Sequence, residues 1–528
     1  MKNRCFRTLI CMVLSAVLLV GCAYASEFPF DTQQKGADGE FATLGLTPEF
    51  DYEVPVSLPS ILVDQVGYDP ESKKIAVFQG ELLPDTFTVT DADSGEAVYT
   101  AKIAQKGYNK KENTFISYGD FTAFKTPGTY YIEAAVVGQS YTFEIAENPY
   151  ADVYDVALKQ YYYNRCGMTL SSELAGDAAH IACHSREAQM KDEASVKLDV
   201  SGGWHVDETS SRDVAIGCRS VNHLLLAYEL YPEVFCDEVG IPESGNGIPD
   251  VLDEVKYEID WLLKMQDAKS GAVYSAVNSV DNSTLGYLLY IDGITMEATI
   301  QFAATMAKFS YLYQNYDRQF ANQCIKAADR AYRYAGQYLA DVPPEEYFYA
   351  STELYRATGG YAYHNALKNY LSYNPVTSME NDFIFWGCVT YLNTKQRVDV
   401  NLCSEVIKVL MLEGERISYA AKNSEFLVCM DEKQTGGVEL LRDITRLVVV
   451  DHIITNHEYA TVLENHLHYM LGRNAQSISY LDEAGSRSYE EIDEKYGVMK
   501  QVESNAELVL MMSSIIEEHR PKEDAQSR

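Results

Sequence analysis

Four carboxyl side chains could carry out proton transfer if the fold brings them to one cleft. Asp207, Glu208 and Asp213 follow a Gly-Gly-Trp-His run at 202–205, and Glu503 lies near the C-terminus. A positioned carboxylate can accept a proton as a general base, and a protonated carboxyl can donate one as a general acid. For Asp207 and Glu208 the alternative is a solvated turn or a helix N-cap. For Glu503 the alternative is a surface position on a helix.

Aromatic side chains near these carboxyls could hold a sugar, because aromatic faces stack against the apolar faces of pyranose rings. The chain has only three Trp against 40 Tyr. Trp204 and Trp386 are candidates for such stacking in a cleft, whereas Trp261 lies within a helical pattern and is predicted to be core. His205 could donate a hydrogen bond to a sugar hydroxyl, and a structural imidazole is the alternative.

A long helical region must position these side chains. From about residue 152, apolar residues recur at three- and four-residue spacing, as on the buried face of an amphipathic helix. The clearest case is 251–266, where Pro249 suits the first turn. Further helices are predicted at 300–316, 321–339, 346–358, 361–370, 402–412, 445–456, 459–471 and 505–518. Periodicity alone therefore predicts an all-helical domain at 152–516, followed by a polar tail at 517–528.

Short strands come before the helices. The runs 61–63, 74–78, 86–90, 129–134 and 141–145 are rich in β-branched and aromatic residues, and turn signals separate them. About ninety residues of such strands predict an immunoglobulin-like β-sandwich at 59–147.

The N-terminus reads as an export signal. Three basic residues precede an apolar run at 9–20 that is too short to span a membrane, and the run ends in Gly21-Cys22. Residues 19–22 resemble a bacterial lipobox, which predicts a lipoprotein signal peptide at 1–21 and acylation of Cys22. An ordinary cleaved signal peptide is the alternative. Residues 22–58 are predicted to be an acidic flexible spacer, which makes the protein an extracytoplasmic one anchored only through its lipid.

The charge and the cysteine content limit the kinds of partner and metal site that the sequence predicts. With 43 basic and 77 acidic residues the formal net charge is −34. Such a field repels nucleic acid and anionic membranes and suits a neutral polysaccharide, although solubility alone would also explain it. Eleven cysteines contain no Cys-x-x-Cys pair and no His at the usual zinc-ligand spacing. The eight outside the signal are predicted to be buried thiols, and their disulfide pairing is left open.

Several motifs resemble glycoside hydrolase family 9, the cellulase-type inverting enzymes. They are the Gly-Gly-Trp run, the Cys-His pair at 183–184, the nearly identical run 244–254, and weaker matches at 353–359, 469–474 and 504–508. Residues 63–68 and 127–130 resemble the small N-terminal domain that many members carry. The resemblance implies an α/α toroid of six helical hairpins, a sandwich that buttresses it, and activity on β-1,4-linked glucan.

When the chain is aligned with the family on these motifs, other residue types occupy the positions of the family's reactive carboxyl groups. Inverting hydrolysis needs two carboxyl groups about 6.5–9.5 Å apart. Aligned without a gap, the two family aspartates that follow Gly-Gly-Trp become Val206 and Thr209, and the family acid becomes Met499. Neither Val206 nor Thr209 can serve as a base near neutral pH.

Neighbouring carboxyls could replace the missing ones. Asp207 or Glu208 would then be the base, with Asp213 as a further candidate, and Glu503 the acid. Of the basic run that grips substrate in the family, only Arg487 remains in type. Two functions stay open: a lipid-anchored glycosidase of endoglucanase type, and an impaired relative that binds glycan at the cell surface. A structural cell-envelope protein is a third class.

The resemblance also implies a possible calcium site, because some members bind calcium just before the Glu-Leu-Tyr segment. Asp341, Glu345 and Glu346 lie in that vicinity and offer hard oxygen ligands. An acid-rich helix N-terminus would look the same. No cofactor is expected to be required.

Overall fold

The computed structural model describes residues 59–110, 113–430, 437–493, 495 and 497–520. The predicted signal peptide, Cys22 and the spacer up to residue 58 lie outside the described residues. Within the described part, no helix is long and apolar enough to cross a bilayer.

Nine strands form the N-terminal β-sandwich. They are β1 (Ile61–Leu62), β2 (Gly67–Tyr68), β3 (Ile75–Gln79), β4 (Thr86–Asp91), β5 (Ala97–Asn109), β6 (Thr114–Asp120), β7 (Gly128–Ala134), β8 (Gly138–Gln139) and β9 (Phe143–Ile145). Their order is β1-β3-β6-β5-β4-β7-β9-β2, with β8 on β7. The long strand β5 pairs with both β4 and β6, and so it joins the two halves. Buried aromatic and β-branched side chains fill the space between them.

Thirteen helices follow in the described residues. They are α1 (Ala151–Tyr163), α2 (Ser172–Ala175), α3 (Val214–Leu230), α4 (Asp250–Lys264), α5 (Met296–Tyr313), α6 (Arg318–Ala335), α7 (Pro344–Thr358), α8 (Tyr361–Tyr373), α9 (Asp382–Leu392), α10 (Val400–Asn423), α11 (Gly437–Ile454), α12 (His457–Met470) and α13 (Val502–His519). Helix α13 therefore reaches three residues into the segment predicted to be a polar tail.

The helices are arranged as two concentric rings. Helices α3, α5, α7, α9, α11 and α13 pack side by side into an inner ring, and α1, α4, α6, α8, α10 and α12 lie outside it. Between α9 and α11 the ring is joined by Arg446, which binds Asp382. Inner helices are buried on nearly every face, whereas outer helices such as α6 are buried along one stripe only. The predicted α/α toroid behind a β-sandwich is confirmed.

A small sheet on the helical domain was not predicted from the sequence. It consists of β10 (Ala188–Met190), β11 (Lys197–Leu198), β12 (Arg212–Asp213), β13 (Ala276–Asn282) and β14 (Gly286–Ile291), in the order β11-β10-β14-β13-β12. Strand β12 leads directly into α3, so this sheet forms one wall beside the loop after Trp204.

The sandwich and the rings are joined by buried polar contacts. Asp64 is fully buried, accepts hydrogen bonds from the amides of Val66 and Gly67, and lies 2.9 Å from Nδ1 of His468 on α12. Gln65 donates to the carbonyl of Ser477 and accepts from two backbone amides of the loop after α12. The sandwich thus holds the loop that leads towards α13.

Candidate functional site

The loop with the Gly-Gly-Trp run is fixed against outer helix α4. Gly203 has φ +79°, and a side chain there would meet the ring of Trp261 at 2.6 Å. The amide of Trp204 donates a 2.8 Å hydrogen bond to the buried carboxyl of Glu258. Burial raises the pKa of Glu258 to about 8, against the effects of the Trp204 amide and Arg212. The start of the loop is therefore a rigid part of the core.

The prediction that Trp204 and Trp386 form sugar platforms is wrong. Trp204 is 1% exposed and packs against Tyr161, with ring centroids 4.8 Å apart. Trp386 is equally buried inside the inner ring, between His223 and Tyr349. Neither indole face reaches a ligand, because helix packing covers both. Trp261, predicted to be core, is also 1% exposed.

Asp207 forms the turn that contains it. Its Oδ1 accepts hydrogen bonds from the Thr209 amide at 2.9 Å, the Thr209 hydroxyl at 2.7 Å and the Ser211 amide at 3.0 Å. Partial burial acts in the opposite sense, but these bonds hold the pKa of Asp207 below its usual range. Oδ1 of Asp207 therefore acts as a turn-forming group, the alternative left open by the sequence, and both Asp207 and the neighbouring Glu208 are exposed.

The residues at positions 206, 209 and 213 also have structural roles. Thr209 donates to Asp207, as described above. Val206 is partly buried against the core, and its amide donates to the Ser211 carbonyl. Asp213 is the N-cap of α3, where its Oδ1 accepts from the Ile216 amide at 2.9 Å. An N-cap side chain satisfies a backbone amide of the first helical turn, so Asp213 supports the fold whatever else it does.

The candidate acid Glu503 is held by a cation. Arg219 of α3 binds it with two parallel hydrogen bonds, Nε to Oε1 at 2.7 Å and Nη2 to Oε2 at 3.0 Å. Such a bidentate pair engages both carboxylate oxygens, whereas a general acid needs an oxygen free to face the substrate. Met499, at the position expected for the family acid, is fully buried. Asp213 and Glu503 both act electrostatically on Arg219, so α3 and α13 bring them to the same end of the ring.

The inner ring contains further ionisable groups that the sequence reading missed. Glu507, one turn after Glu503, has its pKa raised to about 8 by burial and by Asp382 and Glu503. His223 lies 3.6 Å from Glu507, and burial lowers its pKa to about 3. Burial opposes ionisation of Asp382 too, but Arg446 lowers its pKa below the usual range. The pKa values of Glu507 and Asp382 are thus shifted in opposite directions within the ring.

Arg487, predicted to contact substrate, has its side chain bonded within its own loop. Its Nε donates to Glu491 at 2.9 Å and Nη1 to the Gln476 carbonyl at 2.7 Å, which leaves the side chain 12% exposed. Its own amide donates to Gln65 of the sandwich. Arg487 therefore stabilises the loop in which it lies.

The carboxylates proposed for calcium are not gathered. Asp341 is exposed ahead of α7, while Glu346 is buried in its first turn and accepts a hydrogen bond from Gln301. Burial raises the pKa of Glu346 to about 7. Among the described residues, Asp341, Glu345 and Glu346 are not a set whose ligand atoms converge.

A different group of residues could hold a metal, and the sequence reading missed it. Ligand atoms of Cys166, Cys183, His184 and His205 lie within 4.8 Å of one another. The two sulfurs are 4.0 Å apart, and Sγ of Cys183 is 3.6 Å from Nε2 of His205. Tetrahedral zinc with usual bond lengths places two sulfurs about 3.8 Å apart and sulfur and nitrogen about 3.6 Å apart.

The environment of this group also fits zinc. Nδ1 of His184 is buried without a hydrogen-bond partner, as a nitrogen intended for a metal would be. His205 is accordingly placed among metal-type ligands, and the prediction that it contacts sugar is not supported by its position. The adjacent Cys183-His184 pair was the one signal in the sequence, because the other two ligands come from segments 17 and 21 residues away.

Family comparisons agree with this architecture. The sequence profile described as "Glycosyl hydrolase family 9" matches residues 150–507, and that of "Cellulase N-terminal ig-like domain" matches residues 57–139. The two matches cover the helical rings and the sandwich respectively.

Curated relatives align over most of the chain. A cellodextrinase of Butyrivibrio fibrisolvens is 28% identical over 479 residues, which is 82% of this chain and 86% of the relative. A xyloglucan-specific endo-beta-1,4-glucanase of Bacteroides ovatus is 27% identical over 491 residues, with 81% of each chain covered.

Solved structures share the fold. A Bacteroides ovatus family 9 protein superimposes with a TM-score of 0.78 at 22% identity, over 88% of this chain and all of the other. A Zn-binding triple mutant of the family 9 endoglucanase J30 gives a TM-score of 0.76 at 22% identity, over 85% and 99% of the two chains.

Proposed function

The chain belongs to glycosyl hydrolase family 9, and from that premise we propose that it binds β-1,4-linked glucan for polysaccharide breakdown without hydrolysing it efficiently. The ligand class is supported by the relatives, which include a cellodextrinase, a xyloglucan-specific endo-beta-1,4-glucanase and an endoglucanase. Loss of hydrolysis is supported by the state of the carboxyl groups at the ring mouth, the end of the inner ring that carries Asp213 and Glu503.

One observation carries the proposal: the nearest carboxyl to the expected acid position is tied to Arg219 by two hydrogen bonds. The expected acid position itself is occupied by the buried Met499. On the other side, Oδ1 of Asp207 is engaged by its own turn. Without a free carboxyl at the acid position and a well-placed base, little of the acid–base contribution to inverting hydrolysis remains.

A competing candidate is a divergent but active glycosidase, the inverting hydrolase predicted from the sequence. It is favoured by Glu208, an exposed carboxyl in the altered turn, and by Glu507, which retains its proton near neutral pH. In that case Glu208 would be the base and Glu507 the acid.

Binding and turnover separate these candidates. Purified protein would be titrated calorimetrically with cellohexaose and with xyloglucan oligomers, and reducing ends would be measured after prolonged incubation with each. We expect measurable affinity and no reducing sugar above a heat-treated sample. Turnover that disappears in both Glu208→Gln and Glu507→Gln would establish the active enzyme instead. Absence of both binding and turnover would leave a structural envelope protein.

We also propose that the protein is a lipoprotein anchored outside the cytoplasm through Cys22. The support is the position of Gly21-Cys22 at the end of the apolar run. Expression in a bacterial host with labelled palmitate should label the wild type and place it in the membrane fraction. The Cys22→Ser variant should be unlabelled and released. A labelled Cys22→Ser protein would contradict the anchor.

Zinc is the metal that we propose for the four Cys and His ligands. A site with four protein ligands has no open position, so the ion would contribute stability and would not activate water. Purified protein should contain about one zinc per chain, and a chelator should lower its melting temperature by several degrees. Cys183→Ser should lose the metal, while Cys403→Ser, outside the group, should retain it. A full zinc content in Cys183→Ser would exclude this site.

A further inference from the structure

Two of the four metal-type ligands are thiols that lie close enough to react with each other. Sγ of Cys166 and Sγ of Cys183 are 4.0 Å apart, and no backbone element separates them. A disulfide needs about 2.05 Å between the sulfurs, a gap that side-chain rotation and a small loop movement can close. Whether the two sulfurs can come together therefore depends on which of the two chain segments is able to move.

The Cys166 segment is fixed. Cys166 is fully buried, its amide donates to the Gly203 carbonyl at 2.8 Å, and its carbonyl accepts from the Tyr257 hydroxyl. Movement of its backbone would disturb the Gly-Gly-Trp loop. Cys166 is the less accessible of the two thiols and cannot be the first to meet a reagent.

The Cys183 segment is the adjustable one. It lies in irregular chain between α2 and β10, and its side chain is partly exposed. The next residue, His184, has φ +45°, a left-handed conformation that is unfavourable for a residue with a side chain. Without a metal to hold His184, relaxation of this residue would let Cys183 turn towards Cys166.

We propose that Cys166 and Cys183 are an oxidative modification site, in which a disulfide and the bound metal exclude one another. In the metal-free protein, the Cys183 thiolate attacks a low-molecular-weight disulfide, forms a mixed disulfide and releases one small thiolate. The Cys166 thiolate then attacks the sulfur of Cys183 and displaces the second small thiolate. The protein dithiol is oxidised to a disulfide, and one small disulfide is reduced to two thiols.

The exclusion follows from the ligand count. The disulfide consumes both sulfur ligands and leaves only His184 and His205, too few to fill a tetrahedral site. A bound metal, in turn, occupies the sulfur electron pairs that would attack the reagent. This inference rests on the zinc site proposed above and is independent of what the ring binds or hydrolyses.

The test uses protein with Cys236→Ser, which removes the exposed thiol that would otherwise react first. The folded chain is equilibrated in buffers of graded free zinc and treated with oxidised glutathione. Non-reduced peptide mapping then gives the fraction of chains with a Cys166–Cys183 linkage. We expect this linkage to dominate at the lowest free zinc and to form at least tenfold more slowly at saturating zinc. Reduction and added zinc should restore the metal content.

Matched variants identify the order of attack. Cys166→Ser should stop at a glutathione adduct on Cys183, and Cys183→Ser should leave Cys166 unmodified because it is buried. The Cys403→Ser control should behave like the parent. A persistent glutathione adduct on Cys183 in the parent, a linkage rate that zinc does not change, or linkage to other cysteines while circular dichroism shows folded protein would each overturn the proposal.

Discussion

At the ring mouth, single side chains decide what the neighbouring carboxyls can do. Glu503 has the right chemistry for an acid, but Arg219 offers it a planar pair of donors and so engages both of its oxygens. Asp207 has the right chemistry for a base, but one of its two oxygens, Oδ1, accepts hydrogen bonds within its own turn. Residue type therefore predicted the possible chemistry, and the contacts of each carboxyl decide which part of it remains.

Met499 provides the sharpest test at this scale. Because Met499 is fully buried, Met499→Glu would bury a carboxyl that has no prepared partner, and we expect it to lower the free energy of unfolding by about 3–5 kcal/mol. Met499→Leu keeps the volume and should cost less than about 1.5 kcal/mol. Urea denaturation of the three proteins measures both values. If Met499→Glu were as stable as Met499→Leu, position 499 would be able to accept an acid.

Arg219 allows a second test. Both partners of its ion pair are partly exposed, so Arg219→Gln should lower the free energy of unfolding by only about 1 kcal/mol. Arg333→Gln breaks a more exposed pair on α6 and should change it by less than about 0.5 kcal/mol. We expect no reducing sugar from Arg219→Gln, because releasing Glu503 supplies no base. Appearance of turnover in this variant would show that the ion pair alone suppresses catalysis.

At the scale of elements, Glu258 links the Gly-Gly-Trp loop to α4, and this link predicts that the free energy of unfolding depends on pH. Burial raises the pKa of Glu258 to about 8 in the folded protein, where Arg212 acts to lower it and Asp213 to raise it further. In the unfolded protein the pKa is about 4.5. Between these values the folded state holds a proton that the unfolded state lacks, so this contribution to stability is complete below pH 4.5 and is lost as pH rises towards 8.

Glu258→Gln removes that titration while keeping an oxygen for the Trp204 amide. Relative to this variant, the wild type should lose about 1.4 kcal/mol of unfolding free energy per pH unit between pH 5 and 7. Denaturation at pH 5, 6 and 7 measures the difference. The exposed Glu238→Gln should follow the wild type at each pH, and a Glu258→Gln curve parallel to the wild type would exclude the raised pKa.

The elements that the sequence predicted are those with a regular apolar stripe. Outer helices such as α4 and α6 have one buried face, so their period is visible, and their predicted ends fall within a few residues of the observed ones. Helix α9 was missed because 382–392 is apolar on most sides, as a helix enclosed by its neighbours must be. The paired strands β5 and β6 were missed because β5 is largely exposed.

Features of the site that depend on distant segments were beyond sequence patterns. Trp204 and Trp386 are near the expected cleft in sequence, but the helices packed against them decide their burial. The four metal-type ligands span 40 positions, and spacing rules describe only ligands that one short turn brings together. Tertiary packing determines both the burial of the two Trp side chains and the assembly of the four metal-type ligands. Local periodicity therefore contains no information about either.

At the scale of the whole molecule, the sandwich and the helical rings depend on each other through Gln65. Its amide donates to the Ser477 carbonyl at 2.9 Å, and its oxygen accepts from the Ser486 and Arg487 amides at 2.9 and 3.0 Å. Gly472 and Gly485 leave the space for this side chain, because a side chain at Gly472 would meet Gln65 at 2.4 Å. One residue of the sandwich thus satisfies three backbone groups of the helical domain.

Gln65→Ala should consequently weaken the molecule as a unit. Leaving three backbone groups without their partner is expected to lower the free energy of unfolding by about 2–4 kcal/mol, while water that enters the vacated space offsets part of the loss. Gln139→Ala, on an exposed strand, should change it by less than about 0.5 kcal/mol. Calorimetry should show one transition for the wild type and a lower single transition for Gln65→Ala. If the variant instead unfolded in two steps, with the helical domain at the wild-type temperature, the loop after α12 would be stable without the sandwich.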